Sequence, residues 1–247
     1  MPWGWRAICL PVPVANNYAS AMSTPRQQEQ GSHLMTQISP FRKEPVILLV
    51  LTLLVLGWSA IRPHDYPTWM LEVVPVLIAL PLLLWTSQSF PLTDLLYRLI
   101  FLHAVILIVG GHYTYALVPA GFQVQDLFGF ERNHYDRLGH FVQGLEPAIL
   151  AREILLRKNV VKRGGWLVLF VISICLAFSA FYELIEWFVA TVSAEAAESF
   201  LGTQGDVWDT QWDMFMCLLG AATALALFSK VHDGQLTVMA SSRTHER

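Results

Sequence analysis

Three short stretches space ionisable residues so that each set falls on one side of a helix. In "RNHYDRLGHFVQGLEP", Asp136, His140, Gln143 and Pro147 follow one another at i, i+4, i+7 and i+11. In "FSAFYELIEWF", Ser179, Glu183 and Glu186 repeat at i, i+4 and i+7. In "GTQGDVWDTQWDMF", Asp206, Asp209 and Asp213 lie at about 0°, 300° and 340° around a helix turning 100° per residue, with Trp208 and Trp212 opposite. An imidazole that titrates near neutrality beside carboxylates is equipment for proton transfer. Carboxylates grouped with an imidazole also suit a divalent cation.

Each residue has a plainer role to weigh against this one. Asp206 is a natural N-cap and Asp209 a first-turn acid that complements the helix dipole. Asp213 is about 10 Å further in at 1.5 Å per residue, beyond the reach of capping. Glu186 next to Trp187 reads as an interfacial acid, whereas Glu183 is one turn deeper. Arg137 offers a structural ion pair with one of the acids. Pro147 cannot donate to the Gln143 carbonyl and so frees a polar backbone group near His140. His112 and Tyr113, with Tyr115 beyond them, follow Gly110-Gly111 at the end of another apolar run and are candidate binding residues, as are Gln143 and Asp209. His103, nearer the middle of that run, reads as a helix-packing hydrogen bonder.

The segments that carry these residues are membrane helices. The chain has 247 residues, 54% of them hydrophobic and only 14% charged, against about 25% charged in a soluble domain. Six helical segments are expected: Pro45 to about Ile61, Trp69 to about Trp85, Leu95 to about Val118, Tyr135 to about Leu156, Trp166 to about Ala190, and Trp212 to about Phe228. Pro75 and Pro81 in the second are tolerated by membrane helices. The fourth is too polar to pass a hydropathy test, but charge placement requires it. Arg42-Lys43, the cluster Arg157, Lys158, Lys162 and Arg163, and the final Lys230, Arg243 and Arg247 all fall on one side only if six spans exist. The positive-inside rule makes that side, and both termini, cytoplasmic. The fold class expected is an all-α polytopic membrane helix bundle, with residues 1–44 as a disordered cytoplasmic tail, 45–230 as the six-helix domain and 231–247 as a cytoplasmic C-terminal tail. The first residues, "MPWGWRAICLPVPVANNYASA", mimic a signal peptide weakly. Met35 is an alternative start, and topology argues against cleavage. Cys9, Cys175 and Cys217 form no disulfide or zinc pattern.

In this topology Asp136, His140, Glu183, Glu186, Asp209 and Asp213 all sit near the non-cytoplasmic ends of three helices. Ionisable residues inside a membrane mark function by default, because burying them is costly. If they share one cavity, His140, Glu183 and Asp213 must meet within about 6 Å, the range of strong charge coupling.

The stretches "HYDRLGHFVQGLEPAILAREILLRK", "FYELIEW" and "LGTQGDVWDTQWDMFMCLLGA" resemble the YjdF-like inner-membrane proteins of bacteria, over about residues 45–230. The resemblance implies a multi-pass inner-membrane location and no assigned reaction. More distantly, Asp136-Arg137-x-x-His140-Phe141 resembles the Asp-Lys-x-x-His-Phe of VanZ-like membrane proteins, which are associated with glycopeptide tolerance. Asp209-x-x-x-Asp213…Gly220 resembles their Asp-x-x-x-Asn…Gly helix, with Arg137 and Asp213 departing from that pattern.

Three functions are open. The first is an intramembrane enzyme on a lipid-linked or envelope-side substrate, with His140, Asp136, Glu183, Glu186 and Asp213 at its centre. The second is a proton-coupled transporter, although no internal repeat is visible. The third is a scaffold whose polar cluster is structural, with the lipid bilayer or a membrane protein as partner. A divalent cation is the one cofactor the residues suggest, but no HExxH motif specifies a metal, and no oligomeric state is set. P-loop and dinucleotide motifs are absent, and no basic patch suits nucleic acid.

Overall fold

The computed structural model describes residues 43–192 and 203–245. Residues 1–42 of the expected N-terminal tail lie outside the described residues, and Lys43 and Glu44 already belong to the first helix. Seven α-helices and one 3-10 turn form the described chain: α1 Lys43–Ser59, α2 Tyr66–Thr86, α3 Asp94–Tyr113, the turn Tyr115–Leu117, α4 Pro119–Phe128, α5 Tyr135–Arg157, α6 Gly165–Val192 and α7 Asp209–His245. All six expected spans coincide with helices. The protein is an all-α, polytopic membrane bundle.

Four helices, α2, α3, α6 and α7, are long and apolar enough to cross a membrane by themselves. At 17 residues, α1 is about 26 Å long, close to the ~30 Å hydrocarbon core. The polar helix α5 survives in the bundle because protein, rather than lipid, surrounds it. Thirteen of its 23 residues are buried, against six of the 28 in α6, and it packs against α3, α6, α7 and the 3-10 turn. Its polar composition is therefore the composition of a core helix, which a hydropathy scan cannot distinguish from a loop.

Contacts between elements sort the helix ends into two groups. At one end, Glu44 of α1 pairs with Arg98 of α3, Thr93 bonds Glu153 near the end of α5, and the Leu95 amide donates to Gln235 of α7. At the other, the His64 amide donates to the His112 carbonyl, and Arg132 ahead of α5 pairs with Asp209 at the start of α7. This alternation follows six crossings. Lys43, Arg98, Arg157, Lys158, Lys162 and Arg163 belong to the first end.

Lipid tails supply no hydrophobic drive for helix association, so close packing of small residues must. The α5–α7 seam shows how. Gly144 on α5 faces the Cys217 backbone on α7, Gly220 on α7 faces the Phe141 backbone on α5, and neither glycine has room for a Cβ. Ala148, Ala151, Ala221 and Ala224 continue the buried seam. On α6 the buried positions form a single stripe, Leu167, Val171, Cys175, Ser179, Glu183 and Glu186, while Phe178, Phe181, Leu184 and Trp187 face outward.

Two elements differ from the sequence expectation. The third helix stops at Tyr113 rather than near Val118, because Thr114 takes a left-handed φ of 66°. The chain turns there, and the Tyr115 ring lies where a Cβ on Gly110 would be. The last helix does not stop at Phe228. It runs on to His245, 37 residues in all, or about 55 Å, so residues 231–245 are helical.

Candidate functional site

Four helices converge on His140. From α5 itself, Asp136 places Oδ1 3.5 Å from His140 Nε2, the i,i+4 neighbour on the same face. From α6, Glu183 places Oε1 3.7 Å from His140 Nδ1. From α7, Asp213 brings a carboxylate oxygen into a triad with Asp136 and His140 whose ligand-type atoms all lie within 4.8 Å of one another. His140 thus lies within the expected range of both Glu183 and Asp213. Glu186, one turn beyond Glu183, is close enough to interact with His140, Glu183 and Asp136.

The fourth helix contributes a residue the sequence reading passed over. Glu72 of α2 is only 3% exposed and interacts electrostatically with Asp136 and His140. The Tyr182 hydroxyl donates to its Oε2 at 3.3 Å, and Tyr115 supplies a second hydrogen bond. Tyr182 also sets its ring edge-on to His140, 6.2 Å between centroids. The available signal was Glu72 itself, a single acid in a 21-residue apolar helix, and an intramembrane acid is expensive wherever it falls.

The site is closed on one side by ion pairs. Arg132 donates to Asp209 at 2.7 Å and to the Thr203 carbonyl at 2.9 Å. Arg137 donates to Asp206 at 2.6 Å and stacks over Trp212. Gln204 and Asn133 exchange hydrogen bonds in both directions. The Trp208 amide, followed by the charges of Arg137 and Arg132, holds the Asp206 carboxyl below its ordinary value. Asp206 and Asp209 therefore serve the rim, and Arg137 has the structural ion pair considered for it. The tryptophans Trp208 and Trp212 point outward, while Asp213 is 2% exposed.

The remaining candidates lie elsewhere. His112 and Tyr113 pack on α1: His112 Nδ1 is 2.9 Å from the Ser59 carbonyl, and its ring lies 4.4 Å from that of Trp58. Because α3 ends at Tyr113, this pair belongs to the α1–α3 contact rather than to the His140 cluster. The Gln143 side-chain oxygen is buried on α5 without a hydrogen-bond partner. His103 does act as a packing group, with Nδ1 3.1 Å from Glu146 of α5.

A second buried polar group, also unforeseen, provides an internal comparison. Near the opposite end of α5, Glu153 and His232 are both completely buried. Glu153 Oε2 accepts from Thr93 Oγ1 at 2.8 Å and from His232 Nε2 at 3.1 Å, and Oε1 pairs with Arg157. Arg152 donates to His232 Nδ1 at 2.8 Å and to Asp233 at 2.7 Å. A guanidinium only donates, so Nδ1 accepts and Nε2 carries the proton toward Glu153. Both carboxylate oxygens and both ring nitrogens are satisfied. In the His140 cluster, by contrast, His140 Nδ1, Glu183 Oε1 and Asp213 Oδ1 are buried with no hydrogen-bond partner. There, Asp136, Glu183, Glu186, Asp213 and Glu72 surround one imidazole, while Arg132 and Arg137 are committed to the rim.

Fold and site together define a multi-pass membrane helix bundle built around a buried, acid-rich imidazole cluster. Residues 44–234 match the family described as a predicted membrane protein, DUF2238, and the chain belongs to that family. It is 53% identical over 197 residues to the inner membrane protein YjdF of Escherichia coli (strain K12), which covers 78% of this chain and 94% of that protein. The protein is accordingly a multi-pass protein of the bacterial inner membrane. No solved structure matches it, and nothing in these comparisons supports the more distant VanZ-like resemblance.

Proposed function

We propose that the His140 cluster is an intramembrane reaction site that acts on the polar end of a lipid-linked or envelope-side substrate. One observation carries this reading: among the described residues, the Glu153 carboxylate and His232 ring have their hydrogen bonds made, whereas the imidazole and carboxylates of the His140 cluster do not. Polar groups buried to hold a fold are paired, because each orphan costs about 1–3 kcal/mol. The Glu153 carboxylate and the His232 ring meet that rule, with Arg157 Nη2 at the edge of their network left unpaired. The His140 cluster, with three unpartnered atoms and an excess of acid, does not, and such strain is characteristic of sites kept for chemistry.

In this reading Asp136, His140 and Asp213 form the reacting centre, and Glu183 orients the imidazole from its other nitrogen. Glu186 and Glu72 are the further carboxyl groups of the cluster that could exchange a proton with it. Substrate approaches past the Arg132–Asp209 and Arg137–Asp206 pairs, whose release would open the rim. The basic residues gathered at the opposite end make that end cytoplasmic by the positive-inside rule, so the cluster faces the envelope side.

A proton-coupled transporter is the second reading, favoured by one further observation. Titratable pairs continue down α5, at His103–Glu146 and then Glu153–His232, as a relay across the membrane would require.

The test is the envelope-lipid profile of a deletion strain complemented by wild type, His140→Ala, Glu183→Gln or Asp213→Asn. An enzyme predicts a lipid or lipid-linked species that accumulates in the deletion, clears with wild type, and persists with each variant at equal membrane abundance. An unchanged profile, or full complementation by the variants, refutes it. Proteoliposomes showing pH-dependent solute flux would favour the transporter.

A further inference from the structure

We infer that Asp136, His140 and Asp213 hold one divalent transition cation of the Zn²⁺ or Mn²⁺ type, with Glu183 fixing the orientation of His140. The inference rests on the reaction-site reading above and names what that site binds. Asp136 and His140 stand at i,i+4 on α5, so both project from one face. His140 Nε2 and Asp136 Oδ1 are 3.5 Å apart, near the ~3.3 Å edge of a tetrahedron with bonds of about 2.0–2.1 Å. The Asp213 oxygen completes a triangle no wider than 4.8 Å, so a small side-chain adjustment brings all three onto one ion.

Three observations independent of the triangle point to a ligand. Asp213 is 2% exposed, yet its Oδ1 has no hydrogen-bond partner. Glu183 lies on the nitrogen of His140 that faces away from Asp136, 3.7 Å from Nδ1. A closure of about 1 Å would make this the carboxylate–histidine hydrogen bond by which metal-bound imidazoles are held in one tautomer. Finally, the backbones carrying the ligands are locked: α5 and α7 touch through Gly144 and Gly220, with no space for a Cβ. The crossing brings the ligands from α5 within reach of the one from α7.

The donor set selects the ion. Calcium takes six to eight oxygens, and magnesium favours oxygen and water. One imidazole with two carboxylates suits borderline transition cations. Three protein ligands leave a coordination position for water or a substrate oxygen, as catalytic rather than structural sites do.

The test is metal binding by the full chain in detergent. The protein is stripped with EDTA, reloaded with Zn²⁺ or Mn²⁺, and its metal content measured by plasma mass spectrometry, with affinity from calorimetry. One ion per chain is expected. Asp213→Asn and His140→Ala should lose it, and Glu183→Gln should weaken it about 10- to 100-fold. Glu153→Asp, at the other end of α5, should retain it. Each variant is required to elute as a single species, and Asp213→Asn, which preserves shape, carries the test should His140→Ala fail to fold. Folded wild type that binds neither ion, or Asp213→Asn that binds as wild type does, overturns the inference. Metal without a lipid phenotype sustains this site and removes the enzyme reading. A His140-dependent phenotype in a chain that binds no metal does the reverse.

Discussion

Asp213→Asn should stabilise this protein, and His232→Ala should destabilise it, although both change a buried polar residue on the same helix. The Asp213 carboxylate is 2% exposed and has an oxygen without a hydrogen-bond partner. An amide of the same shape removes the charge and its desolvation cost, with an expected gain of about 1–3 kcal/mol. For a chain of this size each kcal/mol moves Tm by about 2–4 °C, a rise of roughly 2–12 °C. His232→Ala deletes bonds to Arg152 and Glu153 and strands groups that are themselves buried. Breaking such a network costs about 3–5 kcal/mol, a fall of roughly 6–20 °C. Cys175 and Cys217 are completely buried, so a thiol-reactive dye reports unfolding in detergent once Cys9 is replaced by Ser. Measurements in EDTA isolate the apo protein. Adding Zn²⁺ at a hundredfold excess over Kd should raise wild type by about 2.7 kcal/mol and leave Asp213→Asn unmoved. Should Asp213→Asn lower Tm as far as His232→Ala does, both clusters are structural and the contrast between them fails.

Two further outcomes test the frame that holds the site. Gly144→Leu places a side chain against the Cys217 backbone; it should separate α5 from α7 and prevent accumulation of folded protein, measured as loss of the monodisperse chromatographic peak. For orientation, cysteines introduced on a background lacking the native ones should label from opposite sides: Leu127→Cys with an impermeant maleimide in spheroplasts, Asn159→Cys only after lysis.

The helix faces were readable in sequence because they are local properties. The i,i+4 and i+7 spacings of Asp136, His140, Glu183, Glu186 and Asp213 hold whatever the neighbouring helix is, and a common depth follows from topology. What spacing cannot supply is the partner. Glu72 has no acidic companion on its own helix, so only the fold reveals that it joins the cluster with Tyr115 and Tyr182. The Glu153–His232 bond spans 79 residues, and "KVHDGQL" reads as a polar tail until Arg152 and Leu95 are seen to bond it. His112 and Tyr113 misled for the complementary reason: the left-handed Thr114 ends α3 early and leaves the pair against α1.

The burial of α5 also bears on how the chain is made. A nascent helix with Asp136, His140, Glu146, Arg152 and Glu153 gains little by moving sideways into lipid, since each charged side chain near mid-membrane opposes insertion by about 2.5–3.5 kcal/mol. Its closest partner, α7, is synthesised after every other described span. Until α7 emerges, α5 must wait at the insertion machinery or be sheltered by α3 and α6. Assembly is thus held open until α7 has been made, and a chain ending before Asp209 would lack the helix that closes it. In this way α7 acts as a check on assembly, so products truncated before it should remain recognisable to membrane proteases.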